Sequence, residues 1–171
     1  MSNNNFLTSH FALKEFTECS TALKYGIVNE PPPEAINNLR TLCEQTLEPL
    51  REALRLPVVI TSGYRCKKLN DRISHHAHHS QHLQGQAADF YVSPAGVSDS
   101  KSQASIRREL LIEAFRQIIL DDNIDYDQLI LYPTFIHVSY VSAEANRHYI
   151  MVADGNGRYR RLSRDVALTI N

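Results

Sequence analysis

Apolar side chains recur along the chain with two different spacings, which separate the predicted helices from the predicted strands. From residue 33 to residue 54 they return every three or four positions after a run of prolines, so a long helix is predicted there, bent at Pro49. A second helix is predicted between residues 106 and 119. A shorter apolar group at residues 11–16 predicts a small helix or turn that packs on the main body.

Segments rich in β-branched and aromatic residues predict the strands. They cover residues 58–61, residues 87–92, the pair "YDQLILY" and "FIHVSY" around a tight turn at Pro133 and Thr134, and a terminal hairpin that begins near Arg147. The small, polar stretch from Ser93 to Ser105 predicts a mobile loop. Helices early and in the middle, with strands largely in hairpins, predict an α+β fold in which a small antiparallel sheet packs with helices.

Length and charge restrict the class of protein. With 171 residues, of which 43% are hydrophobic and 22% charged, the chain is expected to form a single domain over residues 1–171 and to be a monomer. The net charge of -1 predicts no general affinity for nucleic acid or for an anionic membrane. No segment approaches the ~18 apolar residues of a membrane span, and the first residues lack the pattern of a secretory signal. We therefore expect synthesis in the cytoplasm, and the three cysteines, odd in number and without a CxxC pair, are expected to be reduced.

Asp89 is the first candidate for chemistry, because the apolar run "AADFYV" predicts a strand around a carboxylate. An unpaired buried charge costs several kcal/mol, so such a group needs an arginine, backbone donors or a metal ion. His82 lies just upstream, and Gly85 permits a turn that brings the two side chains together. Imidazole and carboxylate together predict a site for a borderline cation such as zinc.

His137, between apolar neighbours in "FIHVSY", is the candidate third ligand. Two histidines and one aspartate would leave the fourth position of a zinc ion open to water, which is typical of a catalytic rather than a structural site. The residues alone leave an alternative open, in which His137 is a hydrogen-bonded core histidine and Asp89 an ion-paired strand carboxylate.

The motifs together resemble a known family. The stretch "SQHLQGQAADF" fits the pattern SxHxxGxAxD at every fixed position, "SGYRCKKLN" precedes it and "FIHVSY" follows it. Over about residues 11–140 the chain is similar to the M15 zinc peptidases, the D-alanyl-D-alanine carboxypeptidase group, and looks most like their small single-domain bacterial and phage branch. The resemblance implies a fold shared with the Hedgehog signalling domain, and cleavage of peptidoglycan peptides next to D-amino acids. It also implies that His82, Asp89 and His137 bind one zinc ion.

The resemblance implies roles for further residues. Arg65, in "SGYR", matches the arginine that polarises the scissile carbonyl and stabilises the developing oxyanion. Ser80 matches the motif serine that contacts substrate near the metal, and Asn70 is a weaker candidate for the same substrate-binding rim. Each position also has a plain alternative: a surface arginine after a turn for Arg65, and a loop or capping hydroxyl for Ser80.

The general base is where the chain departs from the family pattern. Members commonly carry an acidic residue three positions before the last histidine ligand or at the end of the "DQLI" strand, and here those positions hold Thr134 and Tyr132. Tyr132 could orient the water or donate to the oxyanion, although a phenol with a pKa of ~10 is a poor base at neutral pH. Asp127 is expected to have a structural role at the strand start. The histidines of "SHHAHHSQH" offer a neutral imidazole instead.

Three functions stay open on this sequence. The first is a zinc hydrolase of peptidoglycan stem peptides, either a D-Ala-D-Ala carboxypeptidase or an endolysin-type endopeptidase that reaches the cell wall by a phage-type route. The second is a catalytically silent zinc module that binds wall peptide or a protein partner. The third is a metal-storing or metal-sensing protein built on the histidine-rich segment.

Overall fold

A six-stranded sheet lies at the centre of the computed structural model, which describes residues 6–73, 78–93 and 100–171. Its strands are β1 (Val58–Ser62), β2 (Ala87–Val92), β3 (Gln128–Leu131), β4 (Ile136–Ser139), β5 (Tyr149–Ala153) and β6 (Tyr159–Leu162). They lie in the order β1-β2-β4-β3-β5-β6, and each neighbouring pair is antiparallel except β3 and β5, which are parallel. The predicted α+β class is confirmed, and the parallel pair is an addition to it.

The helices occupy the segments before, between and after these strands. They are α1 (Leu13–Thr17), α2 (Ser20–Lys24), α3 (Pro33–Leu42), α4 (Glu48–Leu54), α5 (Lys67–Asn70), α6 (Ser100–Leu120) and α7 (Arg164–Leu168). A π-helical turn, Cys43–Leu47, joins α3 to α4, and Pro49 stands in the first turn of α4, where a missing N–H is tolerated. The irregularity that Pro49 predicts is therefore this π-helical turn, directly before it.

The start of α6 differs from the prediction. The helix begins at Ser100, inside the stretch from Ser93 to Ser105 that was predicted as a loop, because the small polar residues that favour loops are also accepted in a helix. Residues 94–99 lie outside the described part of the chain. Among the residues described, no helix combines the length and the apolar character needed to span a bilayer.

The hydrophobic core lies between one face of the sheet and the helices. Helix α6 contacts β2, β3 and α4, while α1 contacts β1. Alternate residues of the central strands face this core and are fully or almost fully buried, as Phe90, Val138, Leu129 and Ile150 show. The residues between them project from the opposite face of the sheet, and that second face carries the candidate site.

Candidate metal centre

Asp89 and His137 lie directly opposite each other on the neighbouring strands β2 and β4. Opposed residues of an antiparallel pair share one face of the sheet and come close together. Here His137 Nδ1 is 2.8 Å from Asp89 Oδ1, although the two residues are 48 positions apart in the chain. The pairing of β2 with β4 therefore creates the contact on which the centre is built.

His82 reaches the same point from a 3₁₀ turn, Gln81–Gln84. Its Nδ1 lies 2.7 Å from the carbonyl oxygen of Gly63, so Nδ1 is the donor and the unprotonated Nε2 faces the strands. Nε2 lies 3.4 Å from Asp89 Oδ1 and 3.3 Å from His137 Nδ1. Burial lowers the pKa of His82 despite the nearby carboxylate, so the ring is neutral, as a metal ligand must be.

The turn that carries His82 is fixed from two sides. Gly85 ends it with a φ of +69°, and a Cβ at this position would lie 2.4 Å from the carbonyl oxygen of Ala35, so a side chain does not fit. On the other side, Gln81 Nε2 donates a hydrogen bond of 2.8 Å to Asp127 Oδ2. The position of the His82 ring is therefore set by α3 and by the segment that leads into β3.

The three side chains have the composition and spacing of a metal site. One ligand atom from each of His82, Asp89 and His137 lies within 4.8 Å of the other two. Ligands about 2.0–2.1 Å from a tetrahedral zinc ion are separated by about 3.3–3.4 Å, which the two distances from His82 Nε2 match. The shorter contact between Asp89 and His137 is a hydrogen bond, which would lengthen when a cation takes the place of the proton. Two nitrogen atoms and one oxygen atom suit zinc.

Arg65 binds the second oxygen of the ligand carboxylate. Its Nη2 lies 2.7 Å from Asp89 Oδ2, and Ser62 Oγ accepts from both Nε and Nη2 at 3.0 and 2.8 Å. Burial alone would raise the pKa of Asp89, but the imidazoles beside it, with the hydrogen bond from His137 at 2.8 Å, outweigh burial and hold that pKa well below its usual range. Asp89 is therefore an ionised carboxylate at neutral pH. Arg65, predicted to act on substrate, contacts this metal-ligand candidate directly.

Tyr132 follows β3 and is held by aromatic neighbours. Its hydroxyl lies 2.9 Å from that of Tyr159, and its ring stacks on Phe135 with 4.2 Å between the centroids. Burial, followed by the hydrogen bond with Tyr159, raises the pKa of Tyr132, so its phenol is protonated and suited to donating a hydrogen bond. Thr134, the other position where a carboxylate is missing, is exposed on the turn. No local feature of the sequence indicated Tyr159, since only the pairing of distant strands places it here.

Asp127 has the structural role expected of it. The residue is fully buried and accepts hydrogen bonds from the backbone N–H of Arg147 at 2.9 Å, from Arg147 Nε at 2.7 Å and from Arg147 Nη2. Burial would raise the pKa of Asp127, but these hydrogen bonds lower it below its usual value. The carboxylate therefore joins the starts of β3 and β5 and holds Gln81.

Ser80 and Asn70 lie in different environments. Ser80 comes directly before the 3₁₀ turn, and its carbonyl oxygen accepts from the N–H of Leu83 at 3.0 Å. Asn70 ends α5 and is only 1% exposed, which places its side chain in the packing of that helix. Contact with substrate stays a prediction for both residues.

The histidine-rich segment is described in part. His78 and His79 are exposed in the turn before Ser80. His75 and His76 lie outside the described residues. A contribution of this segment to proton transfer therefore stays a prediction, and it rests on sequence position alone.

Part of the chain matches a known protein family. A family profile described as Peptidase M15 matches residues 9–119. The matched region contains Arg65, His82 and Asp89, whereas His137 and Tyr132 follow it and enter the site through the pairing of the sheet. A comparison with curated proteins found no match.

Proposed function

The chain belongs to the Peptidase M15 family, and from this premise we propose that it is a zinc-dependent hydrolase of bacterial peptidoglycan stem peptides. The observation that carries the proposal is the convergence of His82, Asp89 and His137 on one point, with the hydrogen bond of His82 to Gly63 fixing its tautomer. A zinc ion bound there would act as a Lewis acid and lower the pKa of its water.

The chain's own residues would prepare and stabilise the reacting groups. Arg65 pairs with Asp89 at 2.7 Å and places a fixed positive charge beside the centre, where it would stabilise negative charge on the carbonyl oxygen of a bound peptide. Tyr132, protonated and held by Tyr159, would donate a hydrogen bond to the same oxygen or orient the attacking water. Tyr132 does not supply the base.

The experiment that tests this function is mass spectrometry of muropeptides with intact D-Ala ends after incubation with the purified, zinc-loaded chain. Loss of a terminal alanine would establish a carboxypeptidase, and a cut inside the stem would establish an endopeptidase. A strong chelator should abolish either product. Intact muropeptides, with one zinc ion retained per chain, would contradict the proposal.

The second candidate is a zinc module that binds wall peptide or a protein partner without cleaving it. It is favoured by one observation, the absence of a carboxylate at positions 132 and 134, where Tyr132 and Thr134 stand. Measurable affinity for a stem peptide without any turnover would support this function.

Replacing a ligand tests the metal centre itself. His82→Ala, Asp89→Ala and His137→Ala should each strip the tightly bound ion, because two remaining ligands hold zinc far more weakly than three. Elemental analysis of the purified variants gives the metal content per chain. The matched control is His10→Ala, since His10 pairs with Glu48 at 2.7 Å on the surface. Full retention of metal in all three ligand variants would refute the site.

A further inference from the structure

One row of opposed residues crosses the sheet from the candidate metal centre to the far edge. It begins with Asp89 and His137 and continues through Ile130 and Met151 to Arg161 on β6. Because directly opposed residues share a face, Arg161 projects from the same face as the metal ligands. Strands are spaced by about 4.8 Å, so three strand steps place the backbone of Arg161 about 14 Å from the backbone of His137.

Arg161 is held in a position that suits anion binding. Its guanidinium carbon lies 3.7 Å from the ring centroid of Tyr149, and that of Arg147 lies 5.0 Å from the same ring. The charge of Arg147 is paired with Asp127, whereas Arg161 is exposed and forms no ion pair with any carboxylate in the part of the chain that the structure describes. A guanidinium stacked on an aromatic ring keeps its N–H edge available for a planar carboxylate.

The hairpin that carries Arg161 is basic as a whole. Residues 149–162, the hairpin of β5 and β6, contain three arginines and one acidic residue, Asp154, in a chain whose net charge is -1. The same hairpin touches the site, because the hydroxyl of Tyr159 bonds that of Tyr132 at 2.9 Å. Positive charge is therefore concentrated on an element that adjoins the metal centre and lies beyond the family match.

We propose that Arg161, supported by the ring of Tyr149, binds a carboxylate of the peptide substrate and so selects acidic peptides. An extended peptide rises about 3.3–3.6 Å per residue, so a peptide that reaches from the metal centre to β6 spans about four residues. This inference rests on the proposed function for the identity of the substrate, but it concerns binding and not bond cleavage.

Arg160 provides a matched control. It is the next residue in β6 and is opposed to Val152, so it projects from the other face of the sheet. Arg160 is also exposed. Arg160→Gln and Arg161→Gln therefore remove the same charge from the same strand on opposite faces.

The test is the affinity of the full-length chain, kept metal-free with a chelator so that nothing is cleaved, for two synthetic stem peptides measured by calorimetry. One peptide has free acidic side chains, and the other has them amidated. Arg161→Gln should weaken binding of the acidic peptide about tenfold, which is typical for loss of a charge-assisted hydrogen bond. The amidated peptide should bind equally to wild type and variant, and Arg160→Gln should change neither affinity.

Two further variants test whether the ring of Tyr149 supports Arg161. Tyr149→Phe keeps the ring and should leave the affinity unchanged, while Tyr149→Leu removes it and should weaken binding of the acidic peptide. Thermal unfolding of each variant shows whether its fold is intact. An effect of Tyr149→Phe equal to that of Tyr149→Leu would overturn the role of the ring.

Several results would overturn the proposed subsite, which consists of Arg161 and the ring of Tyr149. These are equal affinity of wild type for both peptides, equal losses in Arg160→Gln and Arg161→Gln, or an Arg161-dependent affinity for a glycerol phosphate oligomer but not for the peptide. Parallel kinetics with zinc-loaded protein separate this inference from the proposed function. An unchanged KM in Arg161→Gln with intact cleavage would overturn the subsite alone. Acidic peptide bound through Arg161 but never cleaved would contradict only the proposed hydrolysis.

Discussion

Asp89 is buried with an arginine on one carboxylate oxygen and two imidazoles near the other. Arg65 balances its charge, and His82 is neutral, so the cluster is close to electrically neutral before any cation binds. A metal-ligand carboxylate in an apolar strand must stay ionised, and its charge must be balanced when no cation is bound. Asp89 meets both conditions.

Arg65→Ala should leave the metal bound and lower turnover. The three ligand side chains remain, but the fixed charge beside the carbonyl oxygen is lost, and such losses reduce kcat by about 10²–10³. Steady-state assays of stem-peptide cleavage measure turnover, and elemental analysis measures the metal content per chain. Arg72→Ala is the control, since the exposed Arg72 stacks on Tyr25 at 4.4 Å. Unchanged kinetics in Arg65→Ala would remove this residue from the mechanism.

Tyr132→Phe should lower turnover by about tenfold or more while the metal is retained, because only a hydrogen-bond donor is removed. Tyr159→Phe should cost less, since Tyr132 keeps its hydroxyl and loses only the partner at 2.9 Å. Steady-state kinetics on both variants decide the order. If Tyr132→Phe is as active as wild type, the histidines before Ser80 become the next candidates for proton transfer.

Individual site residues could be predicted from the sequence where they lie in short, recognisable motifs. The motif around His82 and Asp89 predicted two of the three residues that meet, and "FIHVSY" predicted the third. The carbonyl of Gly63 and the hydroxyl of Tyr159 were not predictable, because a backbone acceptor has no sequence signature and the contact of Tyr159 depends on strand pairing.

Among the elements, the 3₁₀ turn Gln81–Gln84 has the tightest local constraint. Gly85→Ala should destabilise the chain and weaken zinc binding, since it combines a left-handed φ with a contact of 2.4 Å to the carbonyl oxygen of Ala35. Gly26→Ala is the matched control, with a φ of +58° and nothing within 4 Å of the added Cβ. We expect about 1–2 kcal/mol for Gly26→Ala from the backbone conformation alone, and a larger loss for Gly85→Ala.

Urea unfolding and competitive zinc titration of both glycine variants provide the measurement. Compared with Gly26→Ala, Gly85→Ala should lose more unfolding free energy and more zinc affinity, because the turn that it displaces carries His82. Equal unfolding free energies for the two variants would show that the close approach to Ala35 relaxes freely.

Element prediction succeeded where periodicity was strong. The strand at residues 87–92 was predicted with the bounds it has, and β1 is one residue longer than predicted. Helix α7 was missed because its five residues, capped by Ser163, are too few to show a helical period. The parallel pairing of β3 with β5 was missed because strand order is decided by packing over the whole sheet.

Across the whole molecule, Asp127 links three distant segments. It receives hydrogen bonds from Gln81, Arg147 and Ser139. Asp127→Asn should lower the free energy of unfolding by about 2–3 kcal/mol at pH 7, because buried charge-assisted bonds are lost. The surface variant Asp71→Asn, which loses an exposed pair with Lys67 at 3.0 Å, should cost less than about 1 kcal/mol.

The effect of Asp127 should depend on pH. The pKa of Asp127 is lowered in the folded chain, so its contribution is fully present above the unfolded value of about 3.9 and is lost as pH falls through the lower folded value. Urea unfolding measures the free energy of unfolding of wild type and Asp127→Asn at pH 7 and at pH 3. The difference between the two proteins should be smaller at pH 3. A constant difference would mean that the packing of Asp127, rather than its charge, stabilises the fold.

The pairing of β2 with β4 also determines when the chain acquires its ligand set. Contacts across 48 and 55 residues, from His137 to Asp89 and to His82, are non-local and carry a large loop-closure entropy. A chain still on the ribosome that ends before residue 137 contains His82 and Asp89 without their third partner. The complete ligand set therefore forms only after residue 137 has been synthesised and β4 has paired with β2, so shorter nascent chains should bind a metal ion at this centre far more weakly than the folded chain.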